Sequence, residues 1–241
     1  MDIIKSKNNP KVKQLVRLKH KKYRNQEQSF LIEGYHLVEE ALKHNLVNEI
    51  IEEHQSARYK NSILVSREII EHLSFTQNPQ NIVAKCKFIQ PKKEINKILV
   101  LNNLQDPGNI GTILRLAKAF DIDSVAIENF DFYNDKIIRS SQGALFDLNV
   151  FKINNSVDFL INLKNQGFTI YSTVLNQNAQ KLQQVNFKNS KIAIVLGNEG
   201  QGISKQVQDV CDISVYIPIA FESLNVACCA AIVLNKIYNK G

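Results

Sequence analysis

Three short segments carry the residue types that chemistry would use. Leu196-Gly-Asn-Glu-Gly-Gln-Gly202 sets three glycines around an acid, directly after the apolar run Ile192–Leu196. Glycine lets a chain turn tightly and bring its N–H and C=O groups close to a ligand. Glu199 stands inside that turn, where a buried carboxylate needs a donor. The pattern matches neither GxxxxGK(S/T) nor GxGxxG, so it is no P-loop and no dinucleotide fingerprint. Asn109-Ile-Gly-Thr-Ile-Leu-Arg115 follows a Pro-Gly turn. Asn109 at the helix start can act as an N-cap. Arg115, about one turn past Gly111, can hold a phosphate in its planar fork or stand as a surface charge. The third segment is Ile217-Pro218 with Ser223-Leu-Asn225, leading into an apolar helical pattern. Ser223 can cap that helix. With the helix starting at Leu224, capping explains Asn225 poorly, because asparagine has low propensity inside a first turn.

The elements that must position these segments follow from periodicity. Short apolar runs at Ile98–Leu101, Ser124–Ile127, Thr169–Val174, Ile192–Leu196 and Val215–Ile217 show few polar alternations, as in parallel strands covered on both faces. Helical patterns fit Ile110–Phe120, Val157–Lys164, Ser204–Val210 and Leu224–Tyr238. This is a parallel α/β domain over 97–241, whose ligands belong beyond the strand C-termini. The polar stretch 91–96, with Pro91, interrupts the pattern and reads as a linker.

Before the linker, residues 1–90 read as a small α/β domain. Its strands are expected at Val47–Ile51, Ile63–Val65 and Ile82–Phe88, with a helix over roughly Glu33–Lys43. The run KVKQLVRLKHKKYR carries Lys11, Lys13, Arg17, Lys19, Lys21, Lys22 and Arg24 beside an apolar stripe of Val12, Leu15, Val16 and Leu18. It predicts one amphipathic helix with a cationic face, either a solvated surface or an RNA-binding one.

Composition sets the outer bounds. With 44% apolar and 22% charged residues over 241 positions, the chain is globular rather than disordered. A net charge of +7 suggests an anionic partner, nucleic acid before membrane. No apolar run approaches the roughly 20 residues of a membrane span. The opening stretch MDIIKSKNNPKVK has no signal-peptide core, so a cytoplasmic protein is expected. Cys86, Cys211, Cys228 and Cys229 lack CxxC spacing, and His20, His36, His44, His54 and His72 form no ligand pattern, so no metal is expected. Adjacent Cys228 and Cys229 read as small buried thiols on an apolar helix.

In order and spacing, the three segments resemble the three motifs of the SpoU/TrmH family of RNA ribose 2′-O-methyltransferases, in the SPOUT superfamily. The N-terminal part, including Phe30-Leu-Ile-Glu-Gly34, resembles the family's substrate-binding domain. The chain departs from the family at Ile219–Glu222, a shorter segment than usual, and at Ala227, where serine is frequent.

The resemblance implies a deep trefoil knot in the C-terminal domain, S-adenosylmethionine as cofactor, and a homodimer packed through the C-terminal helix. Leu196, Gly197, Asn198, Gly200, Ile217, Pro218 and Leu224 would surround the cofactor. Arg115 would steer the proton or clamp a phosphate, held by Asn109, while Glu199, Ser223 and Asn225 position the reacting groups. The implied substrate is structured RNA, ribosomal before transfer RNA. A non-catalytic RNA-binding protein on the same fold, or a methyltransferase acting on another substrate class, are the alternatives.

Overall fold

The computed structural model describes residues 3–91 and 94–239, so Lys92 and Lys93 of the expected linker lie outside the described residues. The chain divides into two compact units. One runs to Gln90 and takes in Tyr133–Phe146; the other holds Pro91–Phe132 and the chain from Asp147 onward.

In the first unit, α1 (Pro10–Arg17) opens on Pro10 and is capped by Asn9, whose Oδ1 accepts the Lys11 N–H at 2.9 Å. The cationic run is not one helix. It breaks at Leu18–His20, and α2 (Lys21–Glu27) follows. The break has a physical cause. Leu18 is fully buried, and Arg24 donates through Nη1 to the Leu18 and Lys19 carbonyls at 3.0 and 2.8 Å. A buried cation thus satisfies carbonyls left free where α1 ends.

Then come β1 (Ser29–Glu33), α3 (Tyr35–Lys43), β2 (Val47–Glu53), β3 (Ile63–Val65), α4 (Arg67–Leu73) and β4 (Ile82–Lys87). The sheet order is β1-β4-β2-β3, with β4 antiparallel to β1 and β2, and β3 parallel to β2. Strand β1 and helix α4 go beyond the sequence expectation. Every residue of β1 is buried, so it shows no alternation to read.

The second unit is a seven-stranded sheet, parallel at every pairing. Its first elements are β5 (Lys97–Leu101), α5 (Pro107–Ala119) and β6 (Ser124–Glu128). The chain then rejoins the first unit through α6 (Asp135–Ser141) and most of α7 (Ala144–Asp147). Tyr133 anchors that return: its ring stacks on Phe88 with centroids 4.0 Å apart, and its hydroxyl accepts the Ile89 N–H. The remaining elements are β7 (Asn149–Ile153), α8 (Ser156–Asn165), β8 (Thr169–Val174), β9 (Gln180–Lys181), β10 (Ile192–Leu196), α9 (Lys205–Val210), β11 (Ile213–Tyr216) and α10 (Val226–Asn239).

The sheet order is β7-β6-β5-β10-β8-β11-β9. Ile98, Val100, Ala193, Val195 and Ile170 of the central strands pack with Leu160 and Leu163 of α8 and Val207 of α9. Helices α5 and α10 pack on each other. Parallel pairing brings the C-terminal ends of β5, β10, β8 and β11 to one edge. Among the described residues no helix is long and apolar enough to cross a membrane.

Candidate active site

Helix α5 starts earlier than Asn109. Asp106 is its cap, accepting the Gly108 N–H at 3.0 Å, and Pro107 opens the helix. Asn109 is therefore inside the first turn, with its amide free for other partners. Its Nδ2 donates to Glu199 Oε1 at 3.0 Å, and its Oδ1 accepts from Asn225 Nδ2 at 3.0 Å. Asn225 in turn caps α10: its Oδ1 accepts from the Ala227 and Cys228 N–H groups and its carbonyl from Cys229. The capping residue is thus Asn225, not Ser223. The earlier difficulty over Asn225 came from starting the helix two residues too soon.

The amides of Asn109 and Asn225 are both oriented by their partners. Backbone N–H groups fix the Asn225 oxygen, which leaves its NH₂ to donate to Asn109. Asn109 then has only its own NH₂ to offer Glu199, which as a carboxylate accepts. One hydrogen-bonded relay joins all three segments.

The glycine loop is built by Asn198. Its Oδ1 accepts from Gly200 and Gln201 N–H groups at 2.9 and 3.0 Å, and its Nδ2 donates to the Asn103 carbonyl at 2.8 Å. Its backbone pairs both ways with Gly202, which holds φ +68°. At Gly197 a Cβ would fall 2.5 Å from the Gly202 carbonyl carbon and 2.6 Å from Ile203 N. No larger residue fits there without moving the loop. Gln105 N–H donates to the second Glu199 oxygen at 3.4 Å.

A buried carboxylate supports this loop from behind. Glu128, at the end of β6, accepts from the Ser156 N–H and hydroxyl at 2.9 Å each, and from Asn102 Nδ2. Asn102 N–H donates to the Leu196 carbonyl, and Asn103 beside it receives the Asn198 amide. Sequence reasoning missed Glu128 because its partners lie 26 and 28 positions away.

These segments border a cleft of about 280 Å³. Gly197, Asn198, Glu199, Gly200, Ile217, Ser223 and Leu224 line it. Leu196 and Pro218 do not: Leu196 is fully buried in β10 and offers its carbonyl to Asn102. Thr173, Val174 and Leu175, at the end of β8, line the cleft and were not anticipated. Their signal was positional, a central strand's C-terminal end. Cys229 also borders it, its thiol pushed up to about 11 by burial. Cys228, expected buried, is exposed.

Arg115 stands apart. It is exposed on α5, outside the cleft lining, and makes no hydrogen bond or ion pair among the described residues. Asn109 contacts Glu199 and Asn225 rather than Arg115.

Of the seven cations in the N-terminal run, Lys13, Arg17, Lys21 and Lys22 are exposed. Arg24 is buried and spent on the end of α1. Lys19 donates to the His72 and Ser74 carbonyls, and its pKa is lowered by burial. Lys11 pairs with Glu49. Among the described residues no cluster of His, Cys, Asp or Glu is placed to hold a metal ion.

A parallel sheet whose strand ends meet at a glycine-walled cleft, with side chains from three segments joined beside it, is the plan of a ligand-binding α/β protein. Residues 96–235 match the SpoU rRNA Methylase family, and residues 9–84 match the MRM3-like substrate binding domain. The chain belongs to the SpoU rRNA methylase family. The 23S rRNA (guanosine(2553)-2'-O)-methyltransferase RlmP of Bacillus subtilis is 35% identical to it, over 97% of this chain and 98% of that one. A solved RNA 2'-O ribose methyltransferase matches with a TM-score of 0.83 and 25% identity over 99% of each chain. An AdoMet-bound rRNA methyltransferase from Sinorhizobium meliloti shares the fold, with a TM-score of 0.83 and 24% identity over 97% and 95% of the two chains.

Proposed function

We propose that this chain transfers a methyl group from S-adenosylmethionine to a ribose 2′-hydroxyl of structured RNA, with ribosomal RNA ahead of transfer RNA. The observation that carries the reading is the relay Glu199–Asn109–Asn225 beside the glycine-walled cleft. The residues present suit the cofactor. Backbone of the Gly197–Gly202 loop faces the cleft, Ile217, Leu224 and Val226 give it apolar walls, and Glu199 is its one charged side chain. An adenosine needs apolar contact and a few backbone partners, and a cation favours a nearby carboxylate. When bound, S-adenosylmethionine supplies a methyl group activated by a sulfonium leaving group.

The chain's own residues then have distinct tasks. Gly197, Asn198, Gly200, Ile217 and Leu224 hold the cofactor. Asn109 and Asn225 fix Glu199, and Ser223 at the cleft wall orients the incoming hydroxyl. A ribose hydroxyl is a poor nucleophile at neutral pH, so its proton must be steered away as the bond forms. Arg115 takes that steering role or clamps the adjoining phosphate; having no partner among the described residues suits a group reserved for RNA. Lys13, Arg17, Lys21 and Lys22 supply phosphate contacts on the first unit.

A homodimer through α10 and a cytoplasmic setting belong to the same reading. Ile232 and Tyr238 leave apolar surface exposed on that helix. So does the trefoil knot, for which β10 lies between β5 and β8 although it follows both in the chain.

The test is methyl transfer from labelled cofactor to unmodified 23S rRNA transcript and to transfer RNA, followed by nuclease mapping. Label in a ribose of ribosomal RNA is expected. At about 100 times its dissociation constant the cofactor also stabilises the fold by roughly 2.7 kcal/mol. A melting curve unmoved by millimolar cofactor, in protein freed of bound ligand, sinks the reading.

A further inference from the structure

The loop from Ile217 to Val226 joins β11 to α10 and gives Ile219, Ser223 and Leu224 to the cleft. Within it Phe221 is 78% exposed. Leu175, which lines the same cleft from the end of β8, is 61% exposed. These are the two most exposed large apolar side chains among the described residues, ahead of Tyr238 at 54%. Single exposed apolar residues are ordinary on a surface. Two extremes, one in the cleft lining and the other in a loop that contributes to that lining, call for an occupant.

We infer that Phe221 is the platform on which the base of the acceptor nucleotide stacks. This rests on the RNA methylation reading above. Phe221 is two residues from Ser223, so their Cα atoms lie within about 7 Å. That separation is comparable to the one between a ribose hydroxyl and the base of the same nucleotide. With the hydroxyl at the cleft wall beside Ser223, the base falls at Phe221. The loop carries no Lys or Arg, and Glu222 is its one charge, so it repels phosphate and leaves the apolar face of a base as the matching surface. Unstacked RNA bases are commonly received on aromatic rings in this way.

The experiment measures methyl transfer to unmodified 23S rRNA transcript by the full chain and by Phe221→Ala, Phe221→Leu and Phe221→Trp. Base–aromatic stacking is worth enough that Phe221→Ala raises the KM for RNA by roughly 5- to 150-fold. Phe221→Trp keeps the wild-type value, and Phe221→Leu behaves like alanine because bulk without a π-face does not stack. Cofactor affinity by calorimetry and sedimentation are the same in all four proteins. An unchanged KM in Phe221→Ala, or full rescue by leucine, overturns the platform. A switch to monomer in Phe221→Ala overturns it too, and assigns the ring to a second copy of the chain. Wild-type protein that binds cofactor yet labels no RNA overturns the methylation reading itself, a result distinct from any of these.

Discussion

Asn225 performs two tasks with the two halves of one amide, and this makes them separable. Its oxygen caps α10; its nitrogen donates to Asn109. Asn225→Ala removes both and is expected to cost about 1 kcal/mol of stability for the lost cap. Asn225→Asp keeps a capping oxygen but presents a second acceptor to Asn109 Oδ1, which breaks the relay. Thermal melting of Asn225→Asp should stay near wild type while single-turnover methylation falls; a wild-type rate in Asn225→Asp, with a loss only in Asn225→Ala, would show that only the cap matters. Arg115 is the complementary case. Because Arg115 is exposed and has no partner among the described residues, Arg115→Ala should leave the melt and the cofactor shift intact while methylation drops by roughly 100-fold. Arg115→Lys recovers part of the rate if the side chain only clamps phosphate, and none if its planar fork orients the hydroxyl. A near-normal rate for Arg115→Ala makes it a surface residue.

At the scale of elements, the glycine loop and the helix starts show what a sequence can and cannot disclose. The three segments were legible because each follows a strand through a loop whose composition announces it. The helix starts were misplaced for local reasons too. Asp106-Pro107 is a cap followed by the favoured first residue, yet the Pro-Gly pair after it reads equally as a turn. What stayed hidden was long-range: the 26- and 28-residue reach of Glu128, and which cations are spent on carbonyls. The loop glycines now divide by role. Gly197→Ala should destabilise the protein even without cofactor, since its Cβ meets backbone at 2.5 Å. Gly200→Ala meets only Asn198 Oδ1 at an ordinary 3.6 Å, so the apoprotein should melt normally and lose cofactor affinity. Calorimetry and melting on the two variants check this; identical behaviour would mean the loop has a single function.

For the whole molecule, the net charge of +7 is a poor guide to where RNA binds until the occupied cations are set aside. Reversing Lys13, Arg17, Lys21 and Lys22 to Glu should weaken RNA binding and flatten its salt dependence, by about 0.7 to 0.9 in log–log slope per lost contact. The melt should hardly move. Arg24→Ala should do the opposite, destabilising the first unit while it removes no exposed charge, because the carbonyls of Leu18 and Lys19 lose their donor. Filter binding at several salt concentrations, with melting curves alongside, distinguishes the two. A quadruple variant that binds RNA as tightly as wild type would return the run to a solvated face.

The relay also sets a timetable for synthesis. Asn109 waits on Glu199, 90 positions later, and on Asn225, 116 positions later. At about 5–20 residues per second, a ribosome needs roughly 6 to 23 s to make the chain between Asn109 and Asn225. Until α10 emerges and docks, the first segment lacks its Asn225 partner, and a nascent chain long enough to fold its first unit still has no working site. Activity therefore arrives late and all at once, as a property of the finished protein rather than of any fragment still being made.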